Sequence, residues 1–254
     1  MVAKNPVSRI SGNASVNRRE YQVNIAKIAS QIEDFAMTKS ESIGLWDASE
    51  CVLLLIDYQD HGFEVIFEQD RRVIELNART LAKAARQFNI PTILTTVGAQ
   101  LGFNGPTISS LRGVLPNIVE IDRSTMNAWE DAKFLAAVRA AGRKKLVMAG
   151  IVTSMSLTYT AVSARIAGHD VAFIADAMAD SYRELHDIAL LRLAQMGAVP
   201  NTTVGMIAEW FRDWKSPLGP SARELLVPYY NEIAPLKGAP MFQQPEGLTV
   251  KNQT

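Results

Sequence analysis

Cys51-Val52-Leu53-Leu54-Leu55-Ile56 is an unbroken apolar run closed by the acid Asp57. A run this short, ending on a polar residue, suits a strand buried on both faces, which is the habit of parallel sheets covered by helices. The sequence on either side agrees. Ile74, Ala78, Leu81, Ala85 and Phe88 return every three or four residues and mark one face of a helix. Further strands are predicted at Pro91–Thr96, Asn117–Ile121, Lys144–Met148, Asp170–Ala175 and Ala198–Thr203. Helical stretches at Trp129–Ala141, Ser154–Ala167 and Leu185–Met196 lie between the later ones. Strands separated by helices need crossover connections, so the expected architecture is a three-layer α/β/α sandwich on a six-stranded parallel sheet.

This body is expected to span 48–215. Residues 1–47 read as an N-terminal extension with a helix over Arg18–Lys39, whose apolar side carries Val23, Ile25, Ile28, Ile32 and Phe35. Residues 216–254 read as a Pro-rich C-terminal extension around one short helical stretch, Ser221–Ile233, because proline interrupts regular structure. Both extensions are available as interface material.

Composition excludes several functions. The 254 residues carry 26 Lys and Arg against 26 Asp and Glu, which argues against a nucleic-acid or anionic-membrane partner. No apolar segment has the length of a bilayer span or the layout of a signal peptide, so a cytoplasmic location is the expectation. The one cysteine, Cys51, cannot form an internal disulfide, and it reads as a core residue at the start of the first strand. His61, His169 and His186 have no metal-ligand spacing; His61 reads as a loop or rim residue and the other two as surface residues. Neither a dinucleotide or phosphate-binding glycine loop nor a G-x-S-x-G nucleophile elbow occurs. No metal and no cofactor are expected.

In an open parallel sheet, ligands bind at the carboxyl ends of the strands where strand order reverses. The polar residues at those ends are Asp57 and Gln59, then Thr95 and Thr96, Arg123, the stretch 150–156, and Asp176. An acid, a cation and a hydroxyl could meet there, although polar residues commonly end strands. Asp176 reads as a cap on the next segment, and Met155 and Leu157 as side chains directed to the core.

Six stretches sharpen the picture. VLLLIDYQ (52–59), NIPTILTT (89–96), NGPTISSL (104–111), RSTMNAWED (123–131), AGRKKLVMAGIVTSMSLTYTA (141–161) and GHDVAFIADAMADS (168–181) stand in the order found in isochorismatase-like hydrolases. The chain resembles that superfamily, most of all its YcaC-like branch, from about residue 48 to Trp214. The resemblance implies a hydrolase working on a small amide, imide or related C–N bond through an Asp–Lys–Cys triad, and it implies a homo-oligomer. Asp57 matches the aspartate that serves as base; its alternative reading is a turn cap. The lysine position falls at Arg123, which keeps the positive charge but cannot share a proton. Its alternative is a surface arginine.

The cysteine position is where the chain departs from its relatives. Family members read Ala-Gly-x-x-Thr-x-x-Cys, and this chain reads Ala149-Gly-Ile-Val-Thr-Ser-Met-Ser156. A thiol becomes a thiolate with modest help, whereas an alcohol must lose its proton to a base during attack. Three explanations stay open: a serine hydrolase, a small-molecule binding protein without turnover, or an engineered Cys→Ser change. The resemblance also implies a cis Ile151–Val152 peptide that aims the Val152 and Ser156 N–H groups into an oxyanion hole; a tight turn at Gly150 is the plainer alternative. Gln59, Asn127, Trp129 and Thr153 are the expected pocket residues around a small-molecule substrate, with Trp129 equally suited to packing at a helix start.

Overall fold

The computed structural model describes residues 44–240. The helix expected at Arg18–Lys39 lies outside the described residues. Six strands form one sheet: β1 Cys51–Ile56, β2 Thr92–Val97, β3 Glu120–Arg123, β4 Lys145–Gly150, β5 Asp170–Ile174 and β6 Val199–Asn201. Every neighbouring pair is parallel, and the order is β3-β2-β1-β4-β5-β6. The chain therefore builds outward from β1 in one direction, then restarts at β4 on the other side. The reversal lies between β1 and β4.

All six residues of β1 are fully buried, as the apolar run requires of a strand covered on both faces. Its thiol, Cys51, is among them, and burial pushes it up to about 11. One group of helices contains α2 (Arg71–Gln87), packed against α7 (Thr203–Phe211) and α8 (Gly219–Leu236). The other contains α4 (Ala132–Ala141), α5 (Thr158–Ile166) and α6 (Arg183–Gln195). Two short helices, α1 (Asp60–Glu64) and α3 (Ser109–Val114), complete the set among the described residues.

Local chemistry sets the boundaries. Asp70 caps α2 by accepting from the Arg72 N–H, and Asp131 caps α4 by accepting from Phe134. Gly142 ends α4 with φ of 64°, a left-handed conformation that favours glycine. Pro200 is tolerated inside β6 because that strand is the sheet's edge.

Several sequence expectations shift. The helix expected at Trp129–Ala141 begins at Ala132, after the 3-10 turn Ala128–Glu130, and the last strand shortens to Val199–Asn201. The third strand begins later than Asn117 and ends on Arg123 itself, because Leu94–Val97 pair in register with Glu120–Arg123. The helix expected from Ser154 starts as a π-helical turn, Thr153–Leu157, before continuing as α5. The C-terminal helix is longer than Ser221–Ile233. It runs through Pro228 because Ala222, Leu225, Leu226 and Tyr229 are buried along one side, and the Tyr229 hydroxyl donates to Asn77 Oδ1 on α2 at 2.9 Å.

Candidate active site

A cavity of about 140 Å³ opens at the β1–β4 reversal, lined by Asp57, Gln59, Gly62, Val97, Asn104, Met126, Ile151, Val152, Met155 and Ser156. Asp57 leaves β1 with φ of 57°, and Val152 follows β4 with φ of 55°. A β-branched residue in that region is a rare, strained conformation, and such strain concentrates at functional sites. The close approach of the two strands depends on Gly150, where a Cβ would stand 2.5 Å from the Ile56 carbonyl oxygen.

Arg123 reaches Asp57 from the end of β3. Its Nη1 donates to Asp57 Oδ1 at 3.0 Å and its Nη2 to Oδ2 at 2.7 Å, a two-pronged ion pair. The guanidinium side chain has no solvent exposure and also donates to the carbonyls of Thr96 and Met126. Thr95 adds a third donor, its hydroxyl bonding Asp57 Oδ1 at 2.8 Å. Arg123 is thus no surface arginine. Its neighbour Asp122 braces the loop after β2: burial pulls its carboxyl up, but the Gln100 and Ala99 N–H groups and the Thr96 hydroxyl hold it below the usual range.

Ser156 sits in the π turn with its hydroxyl 4.0 Å from the Met126 sulfur, and no base is hydrogen-bonded to it among the described residues. The turn is pinned from behind. Thr153 donates to the Ala179 carbonyl through both its N–H and its hydroxyl, at 3.0 and 2.9 Å. His186 Nδ1 lies 3.0 Å from the same hydroxyl. Asp180, fully buried, accepts from the Ser154 N–H at 2.7 Å.

Asp57, Arg123, Val152 and Ser156 therefore converge, with Gln59 in the wall. Gln59 is a strut: its Nε2 donates to the Asn104 and Gly105 carbonyls, and its Oε1 accepts from the Val97 N–H. Asn127, Trp129 and Thr153 lie outside the lining. Asn127 caps the 3-10 turn Ala128–Glu130 and bonds Ser163; Trp129 packs edge-on against Phe134 and His169; Thr153 faces α6. The Ile151–Val152 peptide is trans, since the described residues contain no cis bond, and the left-handed Val152 makes the turn instead. Met155 points to the cavity rather than the core, 43% exposed, because the wider π turn rotates it outward; Leu157 is buried as expected. His186 is buried rather than on the surface. Asp176 is a cap, accepting from the Thr203 N–H and hydroxyl at 2.8 Å. No metal-competent group of His, Cys, Asp or Glu occurs among the described residues. None of their helices is long and apolar enough to cross a membrane.

Met126, Asn104, Val97 and Gly62 line the wall although the sequence reading does not expect them there. Met126 and Asn104 stand inside the RSTMNAWED and NGPTISSL stretches, which is a usable signal for them.

The cavity thus sits where an open parallel α/β sheet reverses its strand order, the usual place for a ligand in such folds. The isochorismatase domain matches residues 51–204, and the chain belongs to the isochorismatase family of hydrolases. Within it, the chain falls in the YcaC branch. It is 34% identical to the probable hydrolase YcaC of Escherichia coli K12 over 171 residues, 67% of this chain and 82% of that protein. The crystal structure of E. coli YcaC, described as an octameric hydrolase of unknown specificity, superposes with a TM-score of 0.69 at 31% identity, covering 78% of this chain and 94% of that one. YcaC from Pseudomonas aeruginosa, solved with hexane-2,5-diol and covalent acrylamide, gives 0.70 at 29% identity, covering 78% and 96%.

Proposed function

We propose that the chain hydrolyses a small amide, imide or related C–N bond in the cavity at the β1–β4 reversal, with Ser156 as nucleophile and Asp57 as base. The observation that carries this reading is the meeting of Ser156 with the Arg123-held carboxylate of Asp57 in one small cavity. Ser156 Oγ attacks the carbonyl carbon and its proton passes to Asp57. The carbonyl oxygen takes up negative charge against the Val152 and Ser156 N–H groups. Collapse breaks the C–N bond, and the amine leaves with the proton from Asp57. Water then cleaves the acyl-serine by the same route. Arg123 positions the carboxylate and takes no proton. The reading requires no metal and no cofactor, and it includes a homo-oligomer, supported by the octameric relative. The cytoplasm is the proposed location, supported by composition.

One observation favours a second reading, a binding protein without turnover: the Ser156 hydroxyl is not hydrogen-bonded to Asp57. A panel of small amides offered to the native chain, Ser156→Ala and Ser156→Cys separates the two. Hydrolysis by the native chain that falls by about 10³-fold or more in Ser156→Ala fits the serine enzyme. A silent native chain beside an active Ser156→Cys variant assigns this chain to binding alone.

A further inference from the structure

Two sources of positive charge approach the cavity, and each is already matched by a carboxylate of the protein. The Arg123 guanidinium is held by Asp57 in the two-pronged pair, and both its Nη atoms also donate to backbone carbonyls; its Nε has no partner but is buried, and Arg123 is not among the lining residues. The start of the π turn and α5, where aligned N–H groups favour an anion, is matched by Asp180 through the Ser154 N–H. The Thr153 and Met155 N–H groups are spent on the Ala179 and Val152 carbonyls. The side-chain amides in the wall are committed too: Gln59 Nε2 to the Asn104 and Gly105 carbonyls, Asn104 Nδ2 to the Val97 carbonyl at 3.0 Å. Among the described residues Asp57 is the one charged residue in the lining, and the rest of the wall is mostly apolar: Val97, Met126, Ile151, Val152 and Met155. An anionic ligand would lose its water here and meet a carboxylate with no free cation among the described lining residues to answer it, an unfavourable like-charge arrangement.

We infer that the cavity selects uncharged carbonyl compounds and rejects carboxylates of the same shape, with Asp57 and Asp180 as the residues that set the preference. A volume of about 140 Å³ suits a core the size of a benzene ring, since a cavity of about 150 Å³ holds benzene. Met126 and Met155, 49% and 43% exposed, flank the opening with flexible thioethers that adapt to the ligand's apolar side. The inference rests on the reading of this cavity as the ligand site, not on turnover by Ser156.

Isosteric pairs test it: benzamide against benzoate, and isobutyramide against isobutyrate, titrated calorimetrically into the full chain at pH 7 and low salt, with ammonia release followed separately. The native chain is expected to bind each amide about 10-fold or more tighter than its carboxylate. Asp57→Asn frees the guanidinium and is expected to reverse the order; Asp180→Asn, which frees the helix start, is expected to narrow the gap. The two variants are independent, so one that fails to fold leaves the other, and the native pairs decide in any case. Carboxylates binding the native chain as tightly as the amides would overturn the inference, as would no binding of either class at millimolar concentration. Discrimination without ammonia release upholds it and removes hydrolysis of these amides.

Discussion

Arg123→Met isolates the role of the ion pair. The Asp57 carboxylate would keep its burial and the Thr95 hydroxyl but lose both guanidinium bonds. Breaking a buried pair from one side typically costs about 3–5 kcal/mol, because the remaining charge has no partner. Urea unfolding of Arg123→Met is expected to show a loss of that size, and a change under about 1 kcal/mol would mean that the pair is hydrated in solution. At this scale the sequence was readable where a residue ends a strand. Asp57 and Arg123 could be placed because β1 and β3 stop at the same edge, and Ser156 because its motif has fixed spacing after Gly150. Met126 and Asn104 were not assigned to the wall, since they come from loops whose meeting in space depends on the register of the whole sheet. Asn127 and Trp129 failed for the opposite reason. They stand beside the site in sequence but are turned away by the Ala128–Glu130 turn they cap and pack.

The π turn is the element on which the site depends, and α6 supports it through His186. Burial lowers the pKa of this imidazole; Asp187 and Asp180 pull it back, Arg183 adds to the lowering, and the net shift is downward. A histidine with a depressed folded-state value binds fewer protons folded than unfolded. Its contribution to stability is therefore present above the ordinary value near 6.5 and is lost as pH falls below it. Thermal melting followed from pH 8 to pH 5 should show a decline below about 6.5 in the native chain, shallower in His186→Asn, where no titrating ring remains. Parallel profiles for the two proteins would remove His186 from the account. The turn itself was not readable, because a π bulge leaves no periodicity distinct from that of the helix it opens. The last helix shows the same limit from the other side. Proline frequency argues for a short segment, but the burial of Leu225, Leu226 and Tyr229 against the body outweighs the backbone bonds missing at Pro228 and Pro235.

At the scale of the whole molecule, the two faces of α6 connect the site to the surface. His186, Ala189 and Leu193 are buried on the inner face, and His186 meets the π turn. On the outer face Leu185, Ile188 and Leu191 repeat every three residues and are exposed, Ile188 by 60%. Tyr182 precedes them, in ring contact with exposed Phe67 at 5.4 Å. A contiguous apolar strip of this kind on a folded surface marks a contact with another molecule, and among homo-oligomers closed symmetry pairs such strips. On the proposed homo-oligomer, the expected occupant is a second copy of this chain. Light scattering on an eluting size-exclusion peak should therefore return a multiple of the 27.9 kDa chain mass, and Ile188→Glu should shift it toward smaller species by placing a charge in a desolvated contact. A native peak at the single-chain mass, unmoved on concentration, would leave the strip without this occupant. If assembly does cover the outer face, it also fixes the helix whose inner face holds Thr153. In that case Ile188→Glu should weaken ligand binding in the cavity while leaving every lining residue in place.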